Sequence, residues 1–459
     1  MKPSDMKNSW IILHFLLLAC LITQLIAAST GWQQDAQLTA SNGNANDQFA
    51  YSVSVSDNIA VIGAPKHSSG GLLRSGAAYI FRPGFNFDAN IALIWPPTET
   101  EVLTASDKAA NDEFGKAVSI DDDIALIGAP YHSTNTLSSC GKAYIFRSNF
   151  VGLSWNELQE LTASDAAAND YFGFSVSVAG KVALIGAWGK QTGGHTQGGR
   201  AYIFQSTGGG STWPSSETQQ LSASDAAANN QFGWSVSLWG SIAVIGANFR
   251  NSGGDYHSGG AYIFRSNNGG LNWTSTETQV LTASDKGAED EFGLSVSVFG
   301  NTVLIGSPIH NTSAISNSGK AYIFRSNDGG INWSETQKLI ASDVATGASF
   351  GYSVYVTGNV ALIGAPFLSS NTGAAYHFQS SNQGATWTQR QKLTASDGTA
   401  LDQFGASVSV FGKTALIGAD FRSSKRGAAY IFDATPPFSS SPESSSTADD
   451  DDGMFASAS

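Results

Sequence analysis

Aromatic and cationic side chains recur together in this 459-residue chain, each set placed just after a repeated Gly-Ala pair. The bulky residues are Tyr131, Trp188, Phe249, Ile309, Phe367 and Phe421; beside them stand His67, His132, Lys190, Arg250, His310 and Arg422. Aromatic faces stack, and cations make charge-assisted hydrogen bonds, so such a set could hold a glycan or an acidic peptide. The alternative is that each aromatic roofs its own segment while the cations balance nearby acids. The candidate ligand-binding residues are therefore Tyr131, His132, Trp188, Lys190, Phe249, Arg250, His310, Phe367, Phe421 and Arg422.

Metal and covalent chemistry have less support. His67, His132, His195, His257 and His310 are dispersed, without the paired spacing of a zinc site. Aspartate pairs recur ahead of a Phe-Gly: Asp107 with Asp112, Asp165 with Asp170, Asp285 with Asp290, and Asp397 with Asp402. They could hold calcium at a rim, but aspartate at such positions also caps tight turns. No cofactor is expected; calcium is possible but lacks a cage motif. No nucleophile elbow, phosphate loop, HExxH or triad signature is present. The expectation is a binder and not an enzyme. The alternative is a polysaccharide hydrolase or lyase built on carboxylates gathered from separate segments.

The elements that must position these residues are strands. Phe-Gly followed by alternating Ser and Val recurs at Phe114, Phe172, Phe232, Phe292, Phe350 and Phe404, with Phe49-Ala50 as a degenerate first copy. Its period of two is that of a pleated strand. An apolar run such as Ala125–Pro130 reads as a strand covered on both faces. Ala-Tyr-Ile-Phe begins at Ala78, Ala143, Ala201, Ala261, Ala321 and Ala429, with a histidine variant at Ala375. A Trp-to-Leu strand ends at leucines 38, 103, 161, 221, 281, 339 and 393, which lie 54 to 65 apart. Four strands per repeat at that spacing predict an all-β, seven-bladed β-propeller with four-stranded blades. The last copy ends at Phe432 without its Trp-to-Leu strand, whereas Trp32–Leu38 precedes the first copy. The amino-terminal strand is thus expected to complete the last blade and remove an exposed edge.

The Phe-Gly and Gly-Ala-Pro pairing resembles the FG-GAP repeat of integrin α chains over residues 32–432. The resemblance implies a propeller that binds partners through loops on one face. It also brings calcium cages between the first two strands. Here those connections, such as Val178–Val182, are too short for one, and Asp121-Asp122-Asp123 is too compact to wrap an ion. Ser326–Trp333, and less fully Ser266–Trp273, Ser380–Trp387 and Ser206–Trp213, resemble the Asp-box hairpin of sialidase-type propellers. That role is structural. The sialidase arginine triad is missing from the Phe-Gly strands.

Composition sets the context. The net charge of −13 argues against nucleic acid, which requires a basic face. Residues 1–28, with Lys2 and Lys7 before an apolar run, read as a signal peptide, with a retained anchor as the alternative. Residues 29–436 are the propeller; 437–459 are an acidic, Ser- and Asp-rich segment expected to be disordered. Cys140 has no partner once Cys20 leaves with the leader. Asn272, Asn311 and Asn332 lie in glycosylation sequons. The expectation is a secreted or cell-surface adhesion module with an extracellular protein or glycan partner; its oligomeric state stays open.

Overall fold

The computed structural model describes residues 31–86, 92–149, 154–312 and 315–434. Two compact units divide the chain: Gln33–Asp433, which holds the sheets, and Met1–Trp32 with Ala434–Ser459. Almost all of the second unit lies outside the described residues, including residues 1–28, expected to be a signal peptide, and residues 437–459, expected to be disordered.

Seven four-stranded antiparallel sheets follow one another along the chain, each a blade of a propeller. Blade 2 is representative: Ala117–Asp121, Ile124–Ala129, Lys142–Ser148 and Trp155–Leu161, in that order from first to fourth strand. Blade 7 takes Ser407–Phe411, Thr414–Ala419 and Ala428–Ala434 from the carboxy-terminal end and Trp32–Leu38 from the amino-terminal end. The expected closure is present. In blade 1 an extra two-stranded pair, Gly84–Asn86 with Ala92–Ile94, is inserted between the third and fourth strands.

The repeated motifs are seam chemistry. At six of the seven seams the second-strand glycine meets the glycine of the next blade's Phe-Gly; at the seventh, Gly418 meets Ala50. A Cβ on Gly128 would fall far inside van der Waals contact distance of the Gly173 carbonyl oxygen, and Gly173 itself has φ +88. Both serines of the Phe-Gly strand wire blade to blade. Ser52 Oγ donates to Gly115 O at 2.9 Å, and Ile120 N donates to Ser54 Oγ at 3.1 Å. At the outer rim each Leu-Thr-Ala-Ser serine meets a carboxylate or amide of the next blade. Ser106 bonds Glu157 (2.7 and 2.9 Å) and Ser164 bonds Glu217 (2.6 and 2.9 Å). The same latch shuts the ring where Ser396 N donates to Gln34 Oε1 at 2.9 Å. The Asp-box hairpins behave as capped turns. Asp328 Oδ1 accepts from the Ile331 and Asn332 amides at 3.0 and 2.9 Å, and Trp333 Nε1 donates to Gly330 O at 3.0 Å.

One residue breaks the core pattern. Ile80, Ile145, Ile203, Ile263, Ile323 and Ile431 each sit in an apolar cluster between adjacent blades. Blade 6 has His377 at that position, and burial pushes its imidazole down to about 4, with Arg390 adding to the effect. A base depressed in the folded state stays neutral there while the unfolded chain protonates near pH 6.5. Its stability contribution is therefore present above pH 6.5 and lost as pH falls towards 4. At 1.36 kcal/mol per pKa unit the loss is about 3 kcal/mol. His377→Ile is expected to be more stable than the wild type, by a margin that widens by about that amount between pH 7 and pH 4. Urea titrations at the two pH values measure it; a margin independent of pH refutes it.

Candidate functional site

The connections from second to third strand and from fourth to first strand meet on one face. Aspartates of the latter tie them together. Asp112 Oδ2 accepts the Ala109 amide at 2.7 Å, capping its turn, and lies 2.9 Å from His132 Nδ1. Asp290 does the same for the Gly287 amide (2.5 Å) and His310 Nδ1 (2.6 Å). Lys190 Nζ donates to Asp170 at 2.9 Å, and Arg422 Nη1 donates to Asp402 at 3.1 Å. Arg250 reaches Asp225 at 2.6 and 2.9 Å. The first aspartate of each pair accepts a tyrosine hydroxyl of the following blade, as Asp107 does from Tyr144 at 2.8 Å. Burial would raise the Asp107 carboxyl, but the bonds from Lys142 and Tyr144 outweigh it and hold the group low.

These contacts divide the expected site. His132, Lys190 and His310 are buried, and all five candidate cations serve as loop tethers. The aromatics come together instead. Tyr131 packs on Tyr171 (5.5 Å between centroids), which stacks on Trp188 at 4.8 Å; Trp188 lies 5.6 Å from Trp234, which stacks on Phe249 at 6.3 Å. Phe367 packs edge-on against Tyr352 at 5.5 Å.

This band borders a cavity of about 510 Å³ at the mouth of the central channel. Phe367 and Phe421 line it, but most of its wall is a set the sequence reading passed over. The residue directly after Phe-Gly in each of the seven repeats lines the mouth: Tyr51, Lys116, Phe174, Trp234, Leu294, Tyr352 and Ala406. All seven are half-buried. The signal was available, since this one position varies between Tyr, Trp, Phe, Lys, Leu and Ala inside a nearly invariant frame. Lys66, Gln48, Gln403 and Asp420 complete the wall.

The mouth is electrostatically unusual. Lys116 Nζ sits 4.0 Å over the Tyr51 ring and 3.8 Å from Glu113. Burial pushes the Asp420 carboxyl up to about 7, against the opposing pull of Lys116, Lys66 and the Gln48 amide, which donates at 3.1 Å. The far end of the channel differs: a cavity of about 220 Å³ lined by Ser54, Ser119, Ser177, Ser237, Ser297 and Tyr355. Tyr355 interrupts the serine ring and bonds Ser409.

The family model described as FG-GAP repeat matches residues 32–81, 97–146, 155–204, 215–264, 275–324, 333–378 and 387–432. The chain belongs to the FG-GAP repeat family. No curated protein matches it. Each matched FG-GAP segment runs from the fourth strand of one blade through the third strand of the next. The sequence repeat is thus one strand out of phase with the blade, and a ring of such repeats can close only by joining its two ends. The FG-GAP propeller fold suggests a module of recognition or adhesion type, and FG-GAP repeats typically occur in extracellular proteins.

Calcium cages are the feature in which this FG-GAP propeller was expected to differ from integrin chains. Asp121 Oδ2 accepts the Gly180 amide of the next blade at 2.5 Å, whereas Asp123 accepts from Arg147 of its own blade at 2.7 Å. Their carboxylates are therefore committed to different blades. Among the described residues no three His, Cys, Asp or Glu side chains gather as metal ligands, and no helix is long and apolar enough to cross a membrane.

Proposed function

We propose that this FG-GAP propeller is a non-catalytic extracellular recognition or adhesion module that binds a protein or glycan partner at the channel mouth and its aromatic border. The observation that carries the reading is the variable ring of seven half-buried residues converging from all seven blades. Variable side chains on a rigid, concave scaffold are the usual seat of binding. The sequons fit a secreted surface: Asn272, Asn311 and Asn332 are all exposed. The aromatic members among the ten sequence candidates, Tyr131, Trp188, Phe249, Phe367 and Phe421, remain part of this surface, while the cations support it from behind.

A hydrolase or lyase reading draws on one observation, the Asp420 carboxyl poised near neutrality in the mouth. Among the described residues lining that mouth it is the single carboxylate. Two-carboxylate glycoside chemistry has no second member there.

The test is capture of glycan-array and cell-surface ligands by the purified full chain and by a Phe174→Ala/Trp234→Ala variant. Burial of two aromatic anchors makes a loss of tenfold or more the expected result, since such anchors are typically worth 2 kcal/mol or more each. Undiminished capture by the variant rejects the mouth, and turnover of any captured glycan rejects the non-catalytic reading.

A further inference from the structure

The mouth carries charge of the opposite sign to the chain as a whole, whose net charge is −13. Lys66 and Lys116 line it, and Lys425 lies 4.7 Å over the ring of Phe421, which also lines it. Burial lowers the Lys66 ammonium from its ordinary range; Arg74, Lys116 and Lys425 lower it further, and Glu113 opposes them. Lys66 and Lys116 line the same cavity, so both ammonium groups border a ligand seated there. Glu113 is shared between Arg74 and Lys116, so one carboxylate offsets one of these cations and the rest of the positive charge stands.

We propose that the channel mouth binds a carboxylated sugar, its pyranose ring stacked on the aromatic wall and its carboxylate taken by Lys66 and Lys116. This deepens, and rests on, the recognition reading above. Aromatic faces match the C–H faces of a pyranose, and the Gln48 and Gln403 amides offer both donors and acceptors to hydroxyls. The volume of about 510 Å³ lies within the range of small-ligand sites. The wall is contributed by every blade, so an extended peptide has no open groove to run along, and a compact terminal sugar is favoured.

Asp420 gives the site a pH signature. Lys66, Lys116 and Gln48 face it, and Tyr51 and Tyr352, both raised by burial, feel its charge; Glu113 and Glu291 add negative potential to these tyrosines. Below neutrality Asp420 is uncharged and tolerates an anion beside it. Above neutrality it becomes a carboxylate and repels one.

The test is calorimetric titration of the full chain with trigalacturonate, a hyaluronan tetrasaccharide and sialyllactose, each beside its neutral counterpart. At least one acidic probe is expected to bind at pH 6, at least tenfold more tightly than its counterpart. Lys116→Gln should weaken it tenfold or more, with Lys66→Gln as the second variant if the first does not fold. Ala406→Trp, which fills the mouth at its smallest wall residue, should abolish it. Binding should fall at least fivefold from pH 6 to pH 8, and Asp420→Asn should remove that dependence. Failure of all three acidic probes, equal affinity for a neutral counterpart, or binding that survives Ala406→Trp overturns the proposal. The recognition reading fails separately, when no array or cell-surface ligand is lost by the Phe174→Ala/Trp234→Ala variant.

Discussion

Removal of residues 29–41 is expected to abolish the soluble fold. The fourth strand of blade 7 is Trp32–Leu38, hydrogen-bonded to Ala428–Ala434, and among the described residues it is the only strand that joins the two ends of the chain in one sheet. Its loss strips three devices at once. The third strand of blade 7 becomes an edge of unpaired amides and carbonyls, a template for aggregation. Leu38, fully buried in the cluster that also holds Ile62, Tyr79 and Ile431, leaves a void. The Ser396 latch onto Gln34 and the Ser41 bonds to Glu99 disappear on either side. Burying one leucine is worth about 2 kcal/mol, and a seven-residue edge much more in pairing, so the sum reaches the total stability of a typical domain. Expression and size-exclusion chromatography of the truncated chain measure it. A soluble monomer with the wild-type melting temperature would show that the ring does not depend on this strand.

A single methyl group at a seam comes second in size. Gly128→Ala places a Cβ against the Gly173 carbonyl, where two backbones meet and neither is a flexible side-chain end. Overpacking that moves backbone is expected to cost about 3 kcal/mol or more. Gly180→Ala is the matched control. Its Cβ would meet nothing within 4 Å, and only the positive φ of 56° opposes it, at about 1–2 kcal/mol. The seam of blades 7 and 1 reverses the sign, since Ala50 occupies the Phe-Gly glycine position at φ 69. Ala50→Gly should therefore stabilise by about 0.5–1 kcal/mol. Urea midpoints for the three variants decide the matter; similar losses for Gly128→Ala and Gly180→Ala would mean that the seams have slack.

Much of the architecture was legible in the residues alone. Strand periodicity, turn-forming Gly, Asn and Asp, and the count of seven are local or additive features, and a missing last strand with a spare first one leaves a ring a single way to close. The Asp-box capping by Asp328 and the turn capping by Asp112 follow from bonds to amides three or four residues away, so they too could be read along the chain. What tertiary structure decided was direction and company. His132 and Lys190 stood beside aromatics in the sequence, yet each turns to an aspartate 20 residues upstream, because a buried polar group requires a partner more than a ligand does. The residue after Phe-Gly looked like one more member of an alternating strand. Only the curvature of the ring brings Tyr51, Trp234 and Tyr352, some 300 residues apart at the extremes, to one mouth, since a radial first strand points its leading side chain at the shared axis and sequence distance carries no trace of that axis.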